Sequence, residues 1–455
     1  MFWFVVVLLF GYLTTFFYFN GFSNKKGEPV YTRGLIPWFG VMLQLRNGFY
    51  NFIVENAKKN GNISTIYLLG ERIHLLTDPR AYQQIQKKPK IFSFYPIVFK
   101  MSTRIRPDKK NKKYDASAIK ETTSNISKFL QGNYLQNLTK TYGKLLSQKM
   151  DDFFEENQEN GEIEIGLHYF ISKVLFNASS RSILGEDFNP DLVEKDYFLY
   201  DKDFKILAIG LPNMFFKYIF NARERVLDEI KKLDFSKSCE YVQVDSDKKT
   251  QEELANTAFS LLIASQTNSI SGAFWTFYEI IKDRKLTNRV LDKISKDFSI
   301  ENYEDHFDSM KLLNSILDES NRLHNIGLSM REALEDCKIE VDSKNYSIRK
   351  GDRIYMIPIV SRNEKLFKNA TKFDPDRFLG DSQLENSLYQ TPFGGGIHLC
   401  PGRFFAVNEI KIFVVLMLRR FTCEFLEDKE VENNYKGISY LAPKEDIKVK
   451  IKKIK

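Results

Sequence analysis

The chain opens on an unbroken apolar run, MFWFVVVLLFGYLTTFFYF, and its first charged side chain is Lys25. Coiled at 1.5 Å per residue, these 19 residues span about 28 Å, close to the hydrocarbon thickness of a bilayer. A cleaved signal peptide needs a basic start and a small-residue cleavage site, and neither is present. Lys25, Lys26 and Arg33 follow the run while nothing charged precedes it. The positive-inside rule then leaves everything after residue 20 in the cytosol. The pattern predicts a single-pass anchor over 1–20; the competing reading is an N-terminal helix buried in the core.

Beyond the run the periodicity changes several times. The segment 21–40 carries Gly27, Pro29, Gly34, Pro37 and Gly40, the composition of a stiff, irregular linker. NISTIYLLGERIHLLTDP reads as two short strands joined near Gly70-Glu71. From about 115 to 235 the spacing is mainly helical, interrupted at Gly210 and Pro212 inside IGLPNMFFKYIF. Long helices are predicted at about 254–281 and 308–323, strand-like turns in KIEVDSKNYSIRKGDRIYMIP, a helix after Cys400 and a final alternating strand in DIKVKIKKIK. No repeat or low-complexity linker divides residues 41–455, so they read as one domain, mainly α with small β-sheets near both ends (α+β).

Composition changes this picture in two places. A net charge of +8 is spread along the chain, with its densest run in RIRPDKKNKK at 104–113. It suits either an ordinary solvated surface or a basic face for an acidic partner or anionic membrane lipid; no nucleic-acid partner is expected. Four cysteines, Cys239, Cys337, Cys400 and Cys423, lie far apart without pairing spacing, which points to a reducing compartment. Only five histidines exist, so a multi-histidine metal site is improbable.

One cysteine stands out. In TPFGGGIHLCPGRFFA (391–406), Cys400 sits among Gly394, Gly395, Gly396 and Gly402. A nucleophilic cysteine needs a base and an orienting group, and only His398 is near. Structural zinc needs four ligands, and the stretch offers two. A haem iron needs one axial thiolate, because the porphyrin supplies the other donors. Glycines would let the backbone lie flush against the flat ring. The helix starting just beyond would favour thiolate over thiol, and His398 would reach a propionate at the ring edge. The loop reads as a haem-thiolate site.

These residues resemble a known family. Phe393, Gly396, Cys400 and Gly402 fit the F-x-x-G-x-x-x-C-x-G signature of cytochrome P450 enzymes. Glu319-Ser-Asn-Arg322 is similar to the family's E-x-x-R, and FDPDRF (373–378) to the segment whose arginine, here Arg377, joins that pair. The resemblance implies a structural role for Glu319, Arg322 and Arg377, and a second propionate contact for Arg331. GLIPWFG, TTSNISKFLQG, GLPNMFFKYIFNARE and NYSIRKGDRI look like one branch: sterol and oxysterol 7-alpha-hydroxylases, sterol 12-alpha-hydroxylase and prostacyclin synthase. What this implies is the cytochrome P450 fold with an N-terminal transmembrane helix, a haem b cofactor held by Cys400 as iron ligand, and a haem-thiolate catalytic domain over 41–455. It further implies NADPH used through a cytochrome P450 reductase partner, and an endoplasmic reticulum location.

The sequence departs from the family on the central helix. Most members carry an acidic residue and a threonine that relay protons during dioxygen reduction. Here Ala264-Ser265-Gln266-Thr267-Asn268-Ser269 puts Thr267 at the acid position and Asn268 at the threonine position. An amide cannot surrender a proton but can hold a water that does. Thr267, Asn268 and Ser269 are therefore the candidate proton-delivery residues, against plain helix-to-helix hydrogen bonding. The expected activity is hydroxylation of a hydrophobic, sterol-like or lipid substrate with O2. The alternative is a lipid peroxide isomerase of the prostacyclin synthase type, which uses the same haem without external electrons.

Overall fold

The computed structural model of the 455-residue chain describes residues 2–20, 25–34, 36, 38–105, 113–209, 216–244, 249–359, 364, 367–380 and 391–454. Part of the basic run, 106–112, and the aromatic break at 210–215 lie outside them.

Helices carry the architecture. Helix α1 (Phe2–Asn20) has no charged residue in its end turns, and its described side chains are almost all exposed. Among the described residues, no helix is long and apolar enough to cross a membrane. In α2 (Gly132–Asn157), Leu138, Tyr142, Leu145, Leu146, Met150 and Phe153 recur every three or four positions and face the core. They pack on α3 (Leu167–Leu184), which is buried almost all round. Helix α4 (Glu194–Ile209) follows.

The longest element is α5 (Gln251–Ile281), started by a capping box in which Thr250 and Glu253 satisfy each other's backbone N–H. Its second half, Ser269 to Ile280, is continuously buried because neighbours surround it: α6 (Arg284–Leu291), α7 (Lys311–His324) and α8 (Arg403–Arg420). The predicted long helices are present, with α7 starting three residues later than 308.

Among the described residues, three sheets flank this helical body. The largest has strand order β1-β2-β3-β9-β6-β4 and contains β1 (Val30–Thr32), β2 (Ile63–Leu68), β3 (Glu71–Leu76), β4 (Phe92–Ser93), β6 (Ser329–Ala333) and β9 (Arg353–Met356). The β2–β3 pair is the predicted hairpin. Its turn falls on Leu69 and Gly70, both at positive φ (51° and 78°), the geometry whose twist matches paired strands. Strand β5 (Glu162–Gly166) joins β10 (Phe421–Phe425) and β11 (Lys448–Lys453), while β7 (Cys337–Val341) and β8 (Lys344–Ile348) form a separate hairpin.

The sheet revises the expected linker. Within 21–40, β1 pairs in parallel with β2. The Glu28 side chain is buried, with Arg72 2.8 Å and Arg349 2.6 Å away. Proline and glycine mark irregular backbone there, yet an unpaired β2 edge, the buried Arg72 and the half-buried Arg349 recruit it into the body.

The α5–α8 contact is central to the fold, and Phe413 on α8 lies edge-on to Phe277 on α5 with both fully buried. Phe413→Ala should cost about 3–5 kcal/mol; a thermal unfolding midpoint equal to that of the parent chain would contradict this packing.

Candidate functional site

Glu319 and Arg322 lie one turn apart on α7 and are 0% and 2% exposed. The Arg322 guanidinium donates from Nε to Oε2 (2.7 Å) and from Nη2 to Oε1 (2.8 Å) of Glu319. Arg377 donates its Nε to both carboxylate oxygens at 3.0 Å. The Asp374 backbone N–H adds another bond to Oε1 at 3.0 Å. The remaining guanidinium hydrogens reach carbonyls of Ala370 (2.6 Å) and Lys368 (2.8 Å). One carboxylate thus faces two cations in a dry site, with the loop 367–378 wrapped around them. The structure brings all three predicted residues together.

The cysteine loop is a tight turn. Gly394 and Gly396 have φ of 76° and 64°, a region L side chains rarely adopt. A Cβ on Gly395 would strike the Gln86 side chain at 2.3 Å. Local backbone geometry and Gln86 therefore give these three glycines a reason within the protein itself. Gly402 differs. A Cβ there would meet nothing nearer than Leu130 Cδ1 at 3.8 Å, so protein packing does not require its smallness. The Phe393 carbonyl accepts the Cys400 N–H at 2.9 Å and closes the loop.

Burial pushes the Cys400 thiol above its ordinary range, while the backbone N–H groups of Gly402 and Arg403 and the charge of Arg403 pull it down. Those N–H groups belong to the start of α8, so the helix end favours sulfur as an anion. Arg331, on β6, is 3% exposed and donates to two carbonyls, Met330 (2.7 Å) and Gly395 (2.9 Å). Burial lowers its pKa to about 10, so it stays charged at neutral pH. Among the described residues no carboxylate pairs with it. His398 has its pKa lowered to about 4 by burial, then by the Arg331 charge. It accepts the Phe94 N–H at Nε2 (3.4 Å) and lies edge-on to Tyr95.

On α5 the polar run spreads around the helix. Successive residues turn by about 100°, so five adjacent side chains cannot face one site. Ser260, Ala264 and Asn268, four apart, are the exposed stripe in an otherwise packed stretch. Asn268 Oδ1 accepts the Tyr440 N–H at 3.3 Å, which leaves its NH2 as the outward donor. Thr267 instead hydrogen-bonds Asp201 of α4 through its hydroxyl. Ser269 is buried and donates to Glu409 Oε2 of α8 at 2.9 Å. Of the three predicted residues only Asn268 lies on the exposed stripe. Ser269 is a helix-to-helix contact.

Sequence reasoning missed Asp201 and Glu409. An acid inside the apolar run RFFAVNEIKIF was a legible signal for Glu409. Asp201 meets Thr267 across 66 residues, and no local pattern announces it.

A single sulfur with helix N–H groups behind it, a buried cation satisfied only by carbonyls, and a glycine whose smallness no protein neighbour demands all fit a flat, anionic-edged macrocycle with one axial ligand. The comparisons agree. The profile of the Cytochrome P450 family matches residues 31–233 and 196–451. This chain belongs to the cytochrome P450 family.

This cytochrome P450 is 26% identical over 474 residues to Cytochrome P450 7A1 of Rattus norvegicus, with 94% of each chain covered. It is 26% identical over 479 residues to Cholesterol 7-alpha-monooxygenase of Cricetulus griseus, covering 95% of each. It is 24% identical over 478 residues to Prostacyclin synthase of Rattus norvegicus, covering 94% of each. The structure of retinoic acid bound cyanobacterial CYP120A1 matches with a TM-score of 0.75 at 19% identity, covering 94% of this chain and 99% of that one. At that identity the match speaks for the fold. The protein is a cytochrome P450 monooxygenase with relatives in the sterol hydroxylase branch.

Two predictions follow from the buried acids. Glu319→Gln leaves two buried guanidiniums facing a neutral amide and should cost about 3–5 kcal/mol. Little folded protein should accumulate, and a normal yield of soluble enzyme would refute the cluster's structural weight. Burial raises the pKa of Glu409 from 4.5 to about 8. Between those values the folded chain keeps a proton that the unfolded chain has released, so stability falls as pH rises, by up to about 1.4 kcal/mol per unit. Glu409→Gln should flatten that slope in thermal midpoints taken from pH 5 to 8.

Proposed function

We propose that this monooxygenase hydroxylates a hydrophobic, sterol-like substrate, with haem b ligated by Cys400 and electrons drawn from NADPH through a cytochrome P450 reductase. The observation that carries the cofactor reading is the lone sulfur of Cys400 backed by the Gly402 and Arg403 N–H groups. Haem, when bound, supplies dioxygen activation and insertion of one oxygen atom into a C–H bond. The names of the relatives, Cholesterol 7-alpha-monooxygenase among them, support a sterol class.

The roles of the chain's own residues follow from their surroundings. Cys400 would hold the haem iron, with the Gly402 and Arg403 N–H groups and the Arg403 charge favouring its thiolate against burial. Phe393, Gly396 and Gly402 shape its loop. Arg331 and His398 would hold the propionate edge, Arg331 as the charged partner and His398 as a neutral ring. Glu319, Arg322 and Arg377 hold the surrounding loop. Asn268, its oxygen tied to Tyr440, offers an N–H to a site water and fixes where that water sits.

The acid absent at Thr267 is supplied from another helix. The Thr267 hydroxyl donates to Asp201; delivery in the other direction takes a protonated Asp201 carboxyl and a hydroxyl turned to donate toward the distal side. A peroxide isomerase needs no such supply, and this contact favours the hydroxylase over the isomerase reading. Ser269 keeps a positioning role through Glu409.

The chain would be held at the endoplasmic reticulum membrane by α1, with the catalytic body in the cytosol. Support comes from the 19 residues of α1, the exposure of its described apolar side chains and the lysines beyond it.

Cys400→Ala should lack the red-shifted Soret band of the reduced carbon monoxide complex; its persistence would overturn the ligand assignment. Asp201→Asn and Asn268→Ala should each consume NADPH while product formation drops, on the order of 10²-fold for loss of a proton-transfer group. Asp203→Asn, two residues along the same helix and accepting the Tyr218 hydroxyl, is the control that should stay coupled. Full coupling in Asp201→Asn would remove the relay. Spin-state titration against sterols and fatty acids tests the substrate class, and a response to fatty acids alone would refute the sterol preference.

A further inference from the structure

Tyr197 on α4 is 0% exposed, and its buried hydroxyl has no hydrogen-bond partner among the described residues. A polar group taken out of water unpaired costs free energy, so the chain keeps this oxygen against its own stability. Phenylalanine would fill the same space without that cost. Aromatic packing is what the neighbours ask for: the ring centroids of Phe176 on α3 and of Phe198 lie 4.6 and 5.4 Å away. Wedged between them, the phenol is held in place and does not swing out to water.

Its position supplies a reason for the hydroxyl. Tyr197 and Asp201 are four residues apart on α4 and share a face. That face meets α5 at Thr267, whose hydroxyl donates to Asp201 Oδ1. The Tyr197 hydroxyl lies beside the same Thr267 hydroxyl and within the field of Asp201. Burial pushes the phenol well above its ordinary range, so Tyr197 stays a donor at any working pH. Asp201 is only half-buried, and its carboxyl can take a proton from water.

A hydroxyl has one hydrogen and two lone pairs. With Asp201 ionised, the Thr267 hydrogen points back at the carboxylate and offers nothing to the distal side. With Asp201 protonated, the carboxyl O–H donates to one lone pair of Thr267 Oγ1 and the Tyr197 O–H to the other. Both lone pairs are then filled from α4, and the Thr267 hydrogen has to leave in another direction. The other acceptor it meets among the described residues, the Ile263 carbonyl of its own helix, is a long contact at 3.4 Å. A distal water offers the better bond.

We propose that Tyr197 is a positioning residue of the proton relay, turning the Thr267 hydroxyl toward the distal water once Asp201 is protonated. This role rests on the Asp201 relay described above. The protons balance. Water protonates Asp201, Asp201 passes that proton to Thr267, and Thr267 gives its own to the distal water. Rotation of the Thr267 hydroxyl back to the ionised carboxylate resets the chain, and Tyr197 keeps its proton throughout.

The test uses haem-loaded full-length protein, a cytochrome P450 reductase and a sterol that shifts the spin state, and it reads product formed per NADPH consumed. Tyr197→Phe should keep the carbon monoxide spectrum and unfold at or above the parent's midpoint, while product per NADPH falls about tenfold. The double variant with Asp201→Asn should be no less coupled than Asp201→Asn alone, because Tyr197 acts only through the protonated carboxyl. Unchanged coupling in Tyr197→Phe beside an uncoupled Asp201→Asn overturns the Tyr197 role and leaves the relay standing. Unchanged coupling in both single variants overturns the relay and this role with it. Losses that multiply in the double variant also overturn the role. So does a Tyr197→Phe chain that unfolds earlier or fails to fold, because the hydroxyl would then be serving structure.

Discussion

The carboxylate of Glu319 answers two buried guanidiniums at once. Desolvating three charges is costly, and in a low-dielectric interior the cost is met only where geometry is close and the remaining donors are satisfied. Both conditions hold: Arg322 binds with a fork, Arg377 with its Nε shared between two oxygens, and the spare hydrogens meet carbonyls of 368–372. The loop 367–378 therefore folds around charge as well as apolar contact. No hydrophobic replacement would dictate the direction of those carbonyls, and the same loop borders the fold's main helices.

The cysteine loop uses weaker forces with the same logic. Burial alone would keep Cys400 a thiol. Two backbone N–H groups and Arg403 oppose that, and the start of α8 is what puts them there. Helix α8 is in turn pinned to α5 through Ser269 and Glu409, so the sulfur and the distal stripe are fixed relative to one another by a buried acid. The distal helix is tied at a second point, where the Tyr440 backbone holds the Asn268 oxygen. The site is thus assembled from elements far apart in sequence, and each junction is a polar contact in an apolar setting.

Much of this was legible beforehand because it is periodic or local. The β2–β3 hairpin, the long helix at 251–281 and the helix after Cys400 declare themselves through spacing and turn residues. Motif spacing likewise nominated Glu319, Arg322 and Arg377. Spacing along a chain could not say which way side chains on one helix point. Thr267, Asn268 and Ser269 looked like one relay, yet helical rotation sends them to α4, to Tyr440 and to α8. Asp201 was invisible for the same reason. The expected linker also misled, since irregular composition says nothing about the free strand edge and the arginines that capture Val30–Thr32 and Glu28.

Arg331 carries a consequence beyond chemistry. Its charge sits in the protein with carbonyl dipoles alone for company, a compromise that an arriving anion improves. Anything that binds the native state and not the unfolded one raises stability with its own concentration. A chain built this way would resist unfolding better with an anionic group bound beside Arg331 than without one, so its stability would depend on the supply of that group.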